Sequence, residues 1–146
     1  MAKNYDKTDL VWTSRGDYVI SHDGDIMDTE RDPLRSLVQE IKTRAGGDLG
    51  DWSAFPDLGA SLSDFVGEPN TKITAESIKI RLIAALAKYG FIDIKDLKIQ
   101  YLPFDREKIL LRISINVAPT VENANSEILT LHSIYSYEEN QVSFII

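Results

Sequence analysis

Apolar and polar positions follow two rhythms along this chain, and each rhythm predicts a different kind of element. Around residues 109–117 the period is two. Ile109, Leu111, Ile113, Ile115 and Val117 share one parity, while Arg112, Ser114 and Asn116 fall on the other with Leu110. Successive side chains of a strand point to opposite faces, so this run predicts a half-buried strand of an antiparallel sheet. Leu97, Ile99 and Tyr101 alternate with Lys98 and Gln100 in the same way, Pro103 ends that run, and Asp105-Arg106-Glu107-Lys108 makes a turn. Two further apolar runs, 128–137 and 141–146, are joined by Glu138-Glu139-Asn140 and predict a C-terminal hairpin over 127–146.

The second rhythm is helical. Leu34, Leu37, Val38, Ile41 and Ala45 recur at three- and four-residue spacing and make one apolar stripe, with Arg31, Arg35, Lys42 and Arg44 off it. Asp32 is placed to cap this helix, Pro33 suits its first position, and Gly46-Gly47 is expected to stop it in the left-handed conformation. A second helix is expected from Thr74, with Glu76 in its first turn. Its core stripe is Ile78, Leu82, Ile83, Leu86 and Tyr89, with Lys79, Arg81 and Lys88 facing away. Gly90 ends it, and Phe91-Ile92 is expected to pack back on the core. Upstream, apolar residues 18–20 and 26–27 flank His22-Asp23-Gly24-Asp25, a hairpin signal because Gly tolerates positive φ.

Residues 48–70 link the helices. They carry Trp52, Phe55, Leu58, Leu62, Phe65 and Val66, so a connection folded against the body is expected, with a short helical turn near 61–65. The pattern as a whole predicts an α+β fold, with two main helices packed on an antiparallel sheet, an N-terminal hairpin and a C-terminal hairpin. Residues 1–14 are expected to be an N-terminal arm whose apolar residues dock, and 15–146 a single domain.

Composition narrows the chemistry. The 146 residues are 43% hydrophobic and 27% charged, ordinary values for a globular domain. There is no cysteine, so neither a disulfide framework nor a thiolate metal site exists. No long uncharged apolar run is present, so no membrane span is expected, and the first ten residues do not read as a secretory signal. The net charge of −7 lies wholly in the first half: residues 1–70 hold 7 Lys/Arg and 14 Asp/Glu, and residues 71–146 hold 9 of each. Without a Lys/Arg cluster, nucleic-acid binding is not expected. The acidic half could steer toward a basic partner, or serve solubility.

Catalytic signatures are sparse. His22 and His132 are far apart, and no nucleophile elbow, phosphate-cradling loop or dinucleotide fingerprint occurs. Asp23 and Asp25 have a calcium-like spacing but lack the bidentate Glu that would complete such a loop. Paired carboxylates for glycoside cleavage are the one enzymatic option, with Glu40, Asp48, Asp51, Asp57, Asp64 and Glu68 as candidates. That reaction needs one carboxylic acid of raised pKa and a second carboxylate at a set distance.

The order of motifs from residue 37 to 70 resembles a known family. A helix carries Gln39, Ile41 and Arg44 in a Q-x-I-x-x-R pattern. A glycine- and aromatic-rich loop follows, and Leu58-Gly59, Leu62, Asp64 and Glu68-Pro69-Asn70 precede the second helix. In this, and in the upstream Gly-Asp turn, the chain resembles the baseplate wedge or sheath-initiator family of contractile phage tails, the W-type "lysozyme-like" proteins, over residues 15–117. It is also similar to baseplate subunits of type VI secretion and other contractile injection systems. One departure is plain: many members carry Glu-Pro-Arg after the second helix at a wedge-core contact, where this chain has Tyr89-Gly90-Phe91-Ile92-Asp93.

The resemblance implies a structural, non-catalytic subunit of the virion's tail baseplate, assembled in the host cytoplasm in a six-fold arrangement. It implies tail sheath protein, tail tube protein and baseplate wedge proteins as partners, and no cofactor. Sheath assembly would start on it by strand exchange. Val142, Phe144 and Ile146, with Tyr135 and Tyr137, are the candidate partner-binding residues; the terminal strand could instead close the domain's own sheet. Gln39, Ile41, Gly59, Glu68, Pro69 and Asn70 are the family-motif residues. The alternative the family's name carries is a peptidoglycan-cleaving enzyme using acids of the 40–68 region.

Overall fold

The computed structural model describes residues 8–13, 15–30, 32–117, 127–139 and 141–145. Two helices, α1 (Pro33–Gly46) and α2 (Lys72–Ala87), precede four strands, β1 (Leu97–Pro103), β2 (Lys108–Val117), β3 (Glu127–Ser136) and β4 (Gln141–Ile145). The strands form one antiparallel sheet in chain order, β1-β2-β3-β4. This is the α+β arrangement of two helices on an antiparallel sheet. The inward parity of β2 is the one the alternation gave: Ile109, Leu111, Ile113 and Ile115 are fully buried, and Ile113 sits between Ile99 of β1 and Leu131 of β3. Leu37, Ile41, Ile78, Leu82 and Leu86 from the helices close the same core. Residues 118–126, between β2 and β3, lie outside the described residues.

The N-terminal hairpin is present, and Gly24 turns it with φ +88. Residues 10–13, within the expected arm, dock on this hairpin. Val11 donates to the Met27 carbonyl, Met27 to that of Val19, and Val19 to that of Val11, at 2.8–3.0 Å. Three short segments therefore pair in a closed triangle with Val11 buried inside it.

Both helix boundaries depart from the simple rules. Asp32 precedes Pro33 but its side chain makes no cap bond. Gly47 is extended (φ −88, ψ 150) rather than left-handed. A Cβ there would lie 3.1 Å from the Thr43 carbonyl oxygen, a tight approach that glycine avoids. α2 begins two residues before Thr74, because Thr71 is the cap and its hydroxyl accepts the Thr74 N–H. Glu76 consequently lies beyond the first turn, where its carboxylate accepts the Tyr101 hydroxyl of β1 at 2.8 Å. Tyr89 is not in the core stripe. It leaves the helix with φ 57 and stands exposed, while Phe91 and Ile92 pack back as expected.

Arg44 is the largest departure. Placed off the apolar stripe by its spacing, it is nonetheless buried. Its Nη1 donates to the carbonyls of Ala85 (3.0 Å) and Lys88 (2.8 Å), at the end of α2. Nε and Nη2 reach Glu40 at 3.0 and 2.7 Å, and the guanidinium lies 4.2 Å from the Phe91 ring centroid. The last carbonyls of a helix have no partner within it, and the dipole favours a cation there. Arg44 thus satisfies the end of α2 from α1, with Glu40 balancing its charge.

Arg44→Ala is expected to lower unfolding free energy by about 3–5 kcal/mol, because Glu40 loses its cation and the Ala85 and Lys88 carbonyls lose a charged donor. Arg44→Lys should restore less than half of that, since one ammonium cannot reproduce the fork. Urea unfolding of the three proteins measures both, and a loss under about 1 kcal/mol for Arg44→Ala contradicts the assignment.

Candidate functional site

The terminal strand is part of the domain's own sheet. β4 pairs with β3 from Ser136↔Gln141 to His132↔Ile145. It is the last strand in the order, so its outer side pairs with no described strand. Val142 is half-buried against the core. Phe144 contributes backbone opposite Ser133, its side chain is not among those described, and Ile146 lies outside the described residues.

Tyr135 and Tyr137 are not partner-facing. Both are buried, with ring centroids 5.3 Å apart at 79°. The Tyr135 hydroxyl donates to the Leu62 carbonyl at 2.5 Å, and the Tyr137 hydroxyl reaches Asn70 Oδ1 at 3.4 Å. Apolar residues occupy both parities of the 128–137 run, so alternation did not decide which parity faces in. The deciding partners, Leu62 and Asn70, are remote in sequence. Burial pushes the Tyr135 phenol up to about 12, and raises that of Tyr137 as well.

The family-motif residues occupy the joints of the fold. Ile41 is core. Gln39 is not: its Oε1 accepts the Trp12 N–H at 3.1 Å and its Nε2 donates to the Leu10 carbonyl at 3.0 Å, fastening the N-terminal triangle to α1. Gly59, at φ +127, lies against the end of α1, where a Cβ would come within 2.7 Å of the Gly47 carbonyl oxygen. Ala60 and Ser61 donate to the Arg44 and Gly47 carbonyls beside it. Asn70 Nδ2 donates to the carbonyls of Asp105 (2.6 Å) and Lys108 (2.9 Å), gripping the β1–β2 turn. Glu68 and Pro69 are exposed. Ser61 and Arg81 are joints that spacing did not single out. Ser61 takes a left-handed φ of 49, its hydroxyl accepts the Leu49 N–H, and its carbonyl accepts Arg81. Arg81 also pairs with Asp64 and stacks over Phe65, so it does not simply face away.

Four of the six candidate acids are engaged in this scaffold. Glu40 serves Arg44, Asp64 serves Arg81, and Asp57 pairs with Lys88 at 2.9 Å while accepting the Tyr89 hydroxyl. Asp51 accepts the Asp48 N–H. The hydrogen bonds from Tyr89 and Lys88 hold Asp57 below the usual carboxylate range, the opposite of what a general acid requires. Among the described residues the carboxyl that does rise is Glu107, through its hydrogen bond with Glu138 at the tip of the sheet and outside the candidate set. Near that tip a hollow of about 200 Å³, lined by Phe104, Lys108, Ile134, Ser136, Glu139 and Ser143, is smaller than the usual ligand pocket of about 300–1,000 Å³.

No helix is long and apolar enough to cross a membrane among the described residues. Compared with protein-family models, curated proteins and solved structures, the chain matches none of them.

Gly59→Ala should cost about 3 kcal/mol or more, combining positive φ with a backbone clash. Gly50→Ala, at φ +91 but facing open space, should cost about 1 kcal/mol. Equal losses on chemical denaturation would remove the close-approach argument. Tyr135 has its own pH signature. A phenol ionises near 10 when unfolded and at about 12 here, so its contribution is intact below pH 10 and is lost as pH rises from 10 through 12. At pH 7 Tyr135→Phe should cost about 0.5–1.5 kcal/mol for the lost hydrogen bond. The gap between the two proteins should narrow above pH 10, and a constant gap up to pH 11.5 would count against a buried, raised phenol.

Proposed function

We propose that this chain is a structural subunit of a contractile-tail baseplate, linking the wedge to the tube and initiating the sheath by accepting a sheath strand on the outer edge of β4. The observation that carries this reading is the position of β4, a short strand that ends the sheet with its outer side free of any described strand. An open edge offers a row of backbone donors and acceptors, and an added strand gains affinity from main-chain pairing. The body behind the edge suits a load-bearing part: Tyr135 on the neighbouring strand is anchored to the connector, and Asn70 ties that connector to the β1–β2 turn. The motif order around Gln39, Gly59 and Asn70 supports the same reading. Contractile phage tails and bacterial contractile injection systems share it. In this proposal the partners are sheath, tube and wedge proteins in six-fold array, and the place is the tail baseplate. Nothing in the arrangement of Glu40, Asp57 and Asp64, each taken by a cation, favours peptidoglycan cleavage.

Removing residues 141–146 tests it. Baseplates assembled with the shortened chain should retain that chain yet carry no sheath, with circular dichroism showing that the domain still folds. Sheaths of normal length on such baseplates would refute the proposal.

A further inference from the structure

The N-terminal triangle is apolar on its outside. Leu10, Trp12, Tyr18, Ile20 and Ile26 occupy its bridge positions, and each is more than a third exposed. Trp12 and Tyr18 stack on one another with centroids 5.7 Å apart. Exposed apolar surface gathered in this way marks an interaction site. Its rim is acidic: Asp9, Asp17, Asp23, Asp25, Asp28 and Glu30 are all exposed, and Arg15 is the single Lys or Arg in described residues 8–30.

The outer face of the sheet has the same texture and the opposite sign. The register sets Leu102, Leu110 and Ile134 side by side across three strands, with Leu102 61% exposed. Arg112 lies in the next row between Gln100 and His132, and Lys98 and Lys108 share its parity. None of the described strand residues on this parity is acidic, and neither Lys98 nor Arg112 has an ion pair among the described residues. The two surfaces cannot meet within one chain. Gln39 fastens the triangle to α1, and α1 lies on the inner side of the sheet.

We propose that the acidic, apolar outside of the N-terminal triangle docks on the basic, apolar outer face of the sheet of a second copy of this chain. The opposite charges supply the salt-sensitive attraction and the orientation, and the apolar side chains fill the contact. Different patches meet on the two copies, so the contact is heterologous and propagates into a ring or an open row. It involves neither the edge of β4 nor the baseplate reading, and stands without them.

Light scattering or sedimentation of the full chain tests this. Between about 0.01 and 1 M salt the screening length falls from about 30 to 3 Å. At the low end the average mass should reach at least twice the 16.4 kDa of one chain, and at the high end it should return to one chain. D17K/D23K/D25K and K98E/R112E should each remain single chains in low salt. Mixed one to one they should associate again, because each then offers the charge the other lacks. The altered residues are exposed, and circular dichroism checks that both variants fold; K98E/R112E keeps the test decisive if the triangle of the other variant opens. A single-chain mass at every salt, an association that neither variant changes, or a mixture that stays dissociated would each overturn the proposal.

Discussion

The fold depends on satisfying the end of one helix from the side of another. α2 finishes beneath Arg44 of α1, whose guanidinium serves the carbonyls of Ala85 and Lys88; the Lys88 carbonyl also accepts the Phe91 N–H. A buried cation is costly unless it is paired and hydrogen-bonded. Here Glu40, one turn earlier on the same helix, supplies the charge, and the Phe91 ring covers the flat face of the guanidinium. The arrangement fixes the separation of α1 and α2. It also explains why the chain turns sharply after Ala87, through a left-handed Tyr89, to bring Phe91 and Ile92 back into the core.

The connector from 48 to 70 works within that constraint. Because α1 ends at Gly46 and the chain doubles back, Gly59 has to pass within contact distance of the Gly47 carbonyl. The connector then crosses to the sheet, where Tyr135 donates to Leu62 and Asn70 holds the β1–β2 turn. A segment dense in acids and aromatics is therefore a frame rather than an open cleft. Glu40, Asp57 and Asp64 are spent on Arg44, Lys88 with Tyr89, and Arg81. What the frame leaves exposed is at its periphery: the edge of β4, the apolar outside of the N-terminal triangle and the basic face of the sheet.

How far the sequence could be read depended on the range of each interaction. The strand 109–117 was plain because burial on one face imposes strict alternation on neighbours. The α1 stripe was plain for the same local reason. The parity of Tyr135 and Tyr137 was not, because both parities of β3 carry apolar residues and the choice rests on Leu62 and Asn70. Gln39, Gly59 and Asn70 could be singled out by motif order, yet their tasks involve partners 27 to 67 positions away for Gln39 and Asn70, and a backbone crossing for Gly59.

The sequence by itself determined the α+β class, the helix and strand count downstream of residue 32, the turn at Gly24 and the placement of the whole negative excess in the first half. These follow from periodicity, turn chemistry and composition, which act over a few residues or simply add up. Only the tertiary structure decided that Arg44 is buried, that residues 10–13 close a triangle with the hairpin, that Tyr135 and Tyr137 face inward, and that β4 lies at an edge. Each of these is settled by a partner distant along the chain, and periodicity along the chain does not specify which distant segment will supply it.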